Sequence, residues 1–157
     1  MADLRELMRS LGHPEAVTHL QSGNIVFAGA GQHVPEARAE IEAGIASRFG
    51  FEVQVLIRTR AELARIVAAN PLPAAAAEPS RYMVTFLDPS PTPEQIARLD
   101  PAEFLPDELQ FGEGAVYAWY HGGLQSSKLT DAIWTRRLGV TATTRNWRTV
   151  TWLAGAG

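Results

Sequence analysis

Three short polar runs carry the residue types that binding or catalysis draws on. Gln21-Ser22-Gly23-Asn24 places two amides and a hydroxyl around a glycine. Ser126-Ser127-Lys128 follows the pair Gly122-Gly123 and precedes an apolar stretch. Arg145-Asn146-Trp147-Arg148 sets two guanidinium groups three residues apart. The second run reads as a strand, a glycine turn and a helix start. Backbone N–H groups and the helix dipole at such a start attract anions, and Lys128 adds charge. The spacing is not that of a phosphate-binding Walker loop. In the third run Arg145 and Arg148 suit phosphate or carboxylate, which guanidinium meets with two parallel hydrogen bonds.

Each run also has a purely structural reading, and both stay open. Ser126 or Ser127 is a natural helix N-cap, with Asp131 in the first turn. Asn146 caps a last helix that Trp147, Val150 and Leu153 anchor in the core. Gly23 and Asn24 tolerate the positive φ of a tight turn. Ser22 has no strand-to-helix elbow and no His-Asp partner at a usable spacing, so it is not read as a nucleophile. Candidate binding residues are therefore Gln21, Ser22, Asn24, Ser126, Ser127, Lys128, Arg145 and Asn146. No catalytic set stands out, and whether the chain is an enzyme is open.

The four histidines, His13, His19, His33 and His121, have no helical i, i+4 pairing and no carboxylate-rich surroundings. No metal or other cofactor is expected. His121, just past a strand end, is the histidine best placed for function, against a plain reading as a half-exposed loop residue. The carboxylate pairs Asp107-Glu108 and Glu40-Glu42 are expected to be solvated.

The elements that must position these residues follow from periodicity. Leu4, Leu7, Met8 and Leu11 make a helical stripe. Two β-rich runs at residues 17–20 and 25–27 read as a hairpin. A helix is expected over 35–49, a strand over 52–57 and a helix capped by Thr59. Eight of the ten prolines fall between Pro71 and Pro106, and residues 71–80 read as a linker. Beyond it a strand spans 82–87, a short helix 92–99, a hairpin 108–120, and two helices 127–138 and 146–153. The division is 1–70, 71–80 and 81–157. The class is α+β, with two ferredoxin-like βαββαβ-type halves, the first lacking its opening strand.

Composition bounds the rest. The chain has 157 residues, 46% hydrophobic and 20% charged, which suits a packed core rather than disorder. It has no cysteine, which excludes disulfides, thiolate nucleophiles and cysteine metal sites. No apolar stretch approaches a membrane span and the start carries mixed charge, so the chain reads as cytoplasmic with no membrane partner. The net charge of −3 hides an asymmetry. From His121 onward five basic residues face one acidic one, and all four tryptophans lie at or after Trp119.

Gln21-Ser22-Gly23-Asn24-Ile25-Val26-Phe27 resembles the hairpin signature of a bacterial family, domain of unknown function 1697. Gly123-Leu124-Gln125-Ser126-Ser127-Lys128-Leu129-Thr130 is similar to a second family segment. Thr143-Thr144-Arg145-Asn146-Trp147-Arg148-Thr149-Val150 matches a Thr-x-Arg-Asn-Trp-x-Thr-Val pattern. The resemblance implies an α+β fold of two related halves and no particular function. Members usually open with a strand and a loop resembling Arg-Gly-Ile-Asn-Val-Gly-Gly, and Met1 aligns just after it. The first half is then expected to show an unpaired sheet edge.

Three functional readings follow. The foremost is binding of a small anionic, phosphorylated ligand at Lys128 and Arg145. The second is single-stranded nucleic acid, with Tyr117, Trp119 and Tyr120 offered to bases; the acidic balance and the lack of an RNP-like motif count against it. The third is a structural or homo-oligomerising module built on open sheet edges.

Overall fold

The computed structural model describes residues 2–19, 23–29 and 33–155. The fold is α+β, and the chain divides into two compact units, residues 1–59 and 60–157.

In the first unit, helix α1 (Ala2–Ser10) buries Leu7 and Met8. Strands β1 (Val17–His19) and β2 (Asn24–Val26) form an antiparallel pair in which His19 faces Asn24. Helix α2 (Val34–Phe49) buries Ile41 and Ile45 and ends at Gly50, whose φ of 76° only glycine adopts cheaply. Leu7, Met8, Ile41 and Ile45 form the core of this unit.

The strand expected over 52–57 does not form. Val53, Val55 and Ile57 alternate onto the α1–α2 core as a strand would, yet the segment joins no sheet. A side chain takes over part of the ladder's role, since the Val55 amide donates to Glu42 Oε1 at 2.8 Å. A carboxylate on α2 satisfies a backbone group that a neighbouring strand would otherwise hold. The first unit is thus helices on a two-stranded ribbon rather than a ferredoxin-like half.

In the second unit, α3 (Arg60–Ala68) buries Leu63 and Ile66. Strand β3 (Tyr82–Asp88) is followed by α4 (Pro93–Ala97), β4 (Glu108–Gly112), β5 (Ala115–Trp119), α5 (Asp131–Leu138), β6 (Thr141–Asn146) and α6 (Trp147–Gly155). The sheet is antiparallel in the order β4-β5-β3-β6. Thr92 and Gln95 close a capping box at the start of α4.

The proline-rich stretch is packed rather than a loose linker. Residues Pro73–Ala77 form a 3-10 turn with Ala75 fully buried. Asn70 ties the stretch down, because its Oδ1 accepts from the Leu72 amide at 3.0 Å and from the Tyr82 hydroxyl. The division between units falls before α3, not at residue 71. Helix α3 packs on α6, so it belongs with the second core.

Alternation along the strands gives the sheet two covered faces. On one, Met83, Leu87, Val116, Ala118 and Tyr120 meet Leu99, Phe104, Leu129, Trp134, Leu138 and Val140. Trp134 is wholly buried and meets Phe111 edge-on at 6.1 Å. Truncating such a side chain costs about 3–5 kcal/mol. On the other face Tyr82 packs against Trp147 at 4.9 Å, and Tyr117 reaches α3.

Strand β6 is not legible as an element in the sequence. Its run Thr-Ala-Thr-Thr-Arg-Asn has little apolar alternation, and every residue in it is half-buried. The β-branched threonines suit an edge strand, and β6 pairs with β3 from Met83↔Asn146 to Asp88↔Thr141.

Candidate functional site

Residues 120–131 and the end of β6 gather most of the polar residues singled out by sequence. Strand β5 ends at Trp119, and the Tyr120 amide continues the ladder by donating to Arg81 O at 2.8 Å. The loop then turns at Gly122-Gly123. Gly123 has φ 85°, and a Cβ on Gly122 would lie 2.7 Å from Ser126 Oγ. Gly123 needs the positive φ that glycine adopts cheaply, and a side chain at Gly122 would displace the Ser126 hydroxyl.

The helix start expected at Ser127-Lys128 lies elsewhere. A 3-10 turn spans Leu124–Ser126, and α5 begins only at Asp131 after extended Thr130. Ser126 Oγ donates to Gly122 O at 2.8 Å, with Gly123 O at 3.2 Å. Ser127 Oγ accepts from the Leu129 amide at 2.9 Å. The two serines shape the turn that drops Leu129 into the core, and they cap no α-helix. Lys128, between Ser127 and Leu129, is exposed.

Asp131, in the first turn of α5, accepts from Thr144 Oγ1 at 2.6 Å, and Thr144 Oγ1 lies 2.8 Å from the buried Thr85 Oγ1. The chain Thr85–Thr144–Asp131 ties α5 to the edge strand through the α5 face of the sheet. Arg145, the next residue, starts from the opposite face, paired with Val84. Its guanidinium folds back along β6, with Nη1 donating to Thr143 Oγ1 at 2.8 Å and Thr144 O at 2.9 Å. Burial pulls the Arg145 pKa below its ordinary value, and the charge of Asp131 opposes that shift.

Asn146 acts as the helix cap. Its Oδ1 accepts from the Thr149 amide at 2.9 Å, the third residue of α6. Trp147 is core, 8% exposed. In the first unit Asn24 is buried, and its Nδ2 donates across the hairpin to His19 O at 3.0 Å. Asn24 thus closes a ribbon. Gln21 and Ser22 lie outside the described residues.

Two expectations about exposure are overturned. Asp107 is 6% exposed, not solvated. Its Oδ1 accepts from the His121 amide at 2.9 Å. Glu108 Oε2 lies 2.7 Å from His121 Nε2, and the His121 ring packs on Trp119 at 4.3 Å. No sequence signal marks this pairing, because Asp107 and His121 meet only when β4 and β5 pair. Nor are the two tyrosines of this stretch offered to a ligand, while Trp119 is half-buried with the His121 ring against it. Tyr117 and Tyr120 are buried, since α3 and α6 cover one face and α5 the other. An aromatic platform for bases needs an open face.

Among the described residues no three His, Asp or Glu side chains gather in a group able to hold a metal ion. No helix among them is long and apolar enough to cross a membrane.

The chain matches the family described as protein of unknown function DUF1697 over residues 1–117. The hairpin signature lies inside that stretch, while the segments 123–130 and 143–150 lie beyond it. A conserved bacterial protein, SP0830 from Streptococcus pneumoniae, has a similar fold, with TM-score 0.65 and 16% identity over 98% of this chain and 86% of that one. No curated protein matches the sequence. With three quarters of its length matched, the chain belongs to the DUF1697 family.

Proposed function

We propose that this chain binds a small ligand through an anionic, phosphate-like group met by Lys128 and Arg145, with Ser126 and Ser127 shaping the loop beside them. One observation carries the reading: the Arg145 guanidinium is drawn partly out of water at the sheet edge. Its Nη1 lies along the sheet edge, donating to Thr143 Oγ1 and Thr144 O. A desolvated guanidinium interacts with a phosphate or carboxylate more strongly than a solvated one does. Lys128, exposed three residues before Asp131, supplies a second, mobile cation.

Thermal melts against inorganic phosphate, nucleotides and phosphorylated sugars test this. A ligand at one hundred times its dissociation constant adds about 2.7 kcal/mol. Lys128→Ala is expected to weaken that binding by roughly tenfold. Unchanged binding by this variant contradicts the reading.

Self-association is a second reading, favoured by the sheet order. The four-stranded sheet ends on β4 and β6, and no further strand among the described residues covers either edge. Sedimentation at high concentration decides it, and a strictly monomeric species counts against it.

A further inference from the structure

Residues 52–58 join no sheet, yet they keep the pattern of a strand. Val53, Val55 and Ile57 are set against the α1–α2 core. Glu52, Gln54, Leu56 and Arg58 take the alternate positions, and Glu52 and Gln54 are exposed. Glu42 answers one backbone amide, that of Val55. Among the described residues no strand pairs with the segment. Apolar, β-branched backbone without a ladder is a template for another strand.

The order of the side chains points to the strand that fits. Laid antiparallel on itself about Val55, the segment sets Glu52 against Arg58, Val53 against Ile57 and Gln54 against Leu56. Directly opposed residues of an antiparallel pair share a face, so each copy keeps Val53, Val55 and Ile57 toward its own helices. A two-fold axis through Val55 makes the Glu52–Arg58 pair twice. A slip of two residues sets Glu52 against Leu56, or Arg58 against Gln54, and breaks both pairs. A slip of one turns one copy's core residues to the wrong face. Arg58 is held at the end of the segment, where its Nη1 donates to the Ile57 carbonyl at 3.0 Å.

We propose that residues 52–58 pair antiparallel with the same residues of a second copy of this chain, centred on Val55. The proposal deepens the self-association reading and places the contact on a different edge from β4 and β6.

Charge reversal tests it in the full chain by sedimentation. The parent should show a monomer–dimer equilibrium that weakens as salt rises. Glu52→Arg sets Arg against Arg58 at both ends of the pair and should raise the dimer dissociation constant roughly tenfold. Arg58→Glu should do the same. An equimolar mixture of the two variants should form a heterodimer about as tight as the parent dimer, because each reversed residue then meets its opposite. Arg58 also bonds its own backbone, so melts of each variant accompany the sedimentation, and Glu52→Arg alone decides if Arg58→Glu does not fold. Glu52 is exposed, and its variant should melt within about 2 °C of the parent. A dimer that Glu52→Arg leaves unchanged overturns this proposal and leaves self-association to β4 or β6. A mixture no tighter than either variant alone also overturns it. A strictly monomeric parent overturns both this proposal and the broader reading.

Discussion

The Tyr117 hydroxyl on β5 donates to the Ile66 carbonyl on α3 at 2.5 Å. Ile66 lies in the last turn of α3, where carbonyls lack an intrahelical donor. The sheet thus completes the helix, and the helix in turn closes the sheet face that holds Tyr82, Val84 and Tyr117. Tyr117→Phe leaves that carbonyl buried and unpaired. A loss of about 1–3 kcal/mol is expected in urea unfolding, with the m-value unchanged. A neutral variant would mean that the bond is weak or that water replaces it.

Closure of both faces bears on nucleic acid. Tyr117 and Tyr120 are not available for base stacking. Fluorescence anisotropy with short single-stranded oligonucleotides at low salt should show no saturable binding that Tyr117→Phe or Tyr120→Phe weakens.

Asn146 is predicted to act on stability, not on ligand affinity. Its Oδ1 caps α6 through the Thr149 amide. Asn146→Ala should cost about 1 kcal/mol, or about 2–4 °C in melting temperature. Asn146→Asp should recover most of that loss, because a carboxylate caps equally well. Any anion-induced shift should survive in both variants.

All three tyrosines are buried, and each has its pKa raised, chiefly by desolvation. The folded state therefore holds its phenolic protons above the pH at which the unfolded chain releases them. The stability from these groups is fully present below about pH 10, the ordinary phenol value. It falls as pH rises past that point toward the raised folded values. Ultraviolet titration should show little tyrosinate in the native protein near pH 10. Ionisation should then appear together with unfolding. Smooth ionisation of a native protein near pH 10 would contradict this burial.

The helices and hairpins with strong apolar periodicity were legible in the sequence, as were β3 and the cap at Asn146. What was not legible depends on partners far along the chain. Residues 52–57 carry a strand's alternation, but a strand also needs a ladder, and Glu42 answers one of its amides instead. Strand β6 shows the reverse: its pattern is weak, and β3 makes it a strand by pairing. Asp107 looked like a solvated loop carboxylate because its partner, the His121 amide, is fourteen residues away. The serines of the 122–130 loop bond within that loop. Their hydrogen bonds serve the turn rather than a helix start.

The most direct test of ligand binding is a nuclear magnetic resonance titration of the 15N-labelled chain with inorganic phosphate, followed by whichever phosphorylated compound shifts the melt. The account predicts saturable changes at the amides of residues 122–131 and 143–146, lost in Lys128→Ala. No saturable change, or changes confined to residues 1–59, would contradict it.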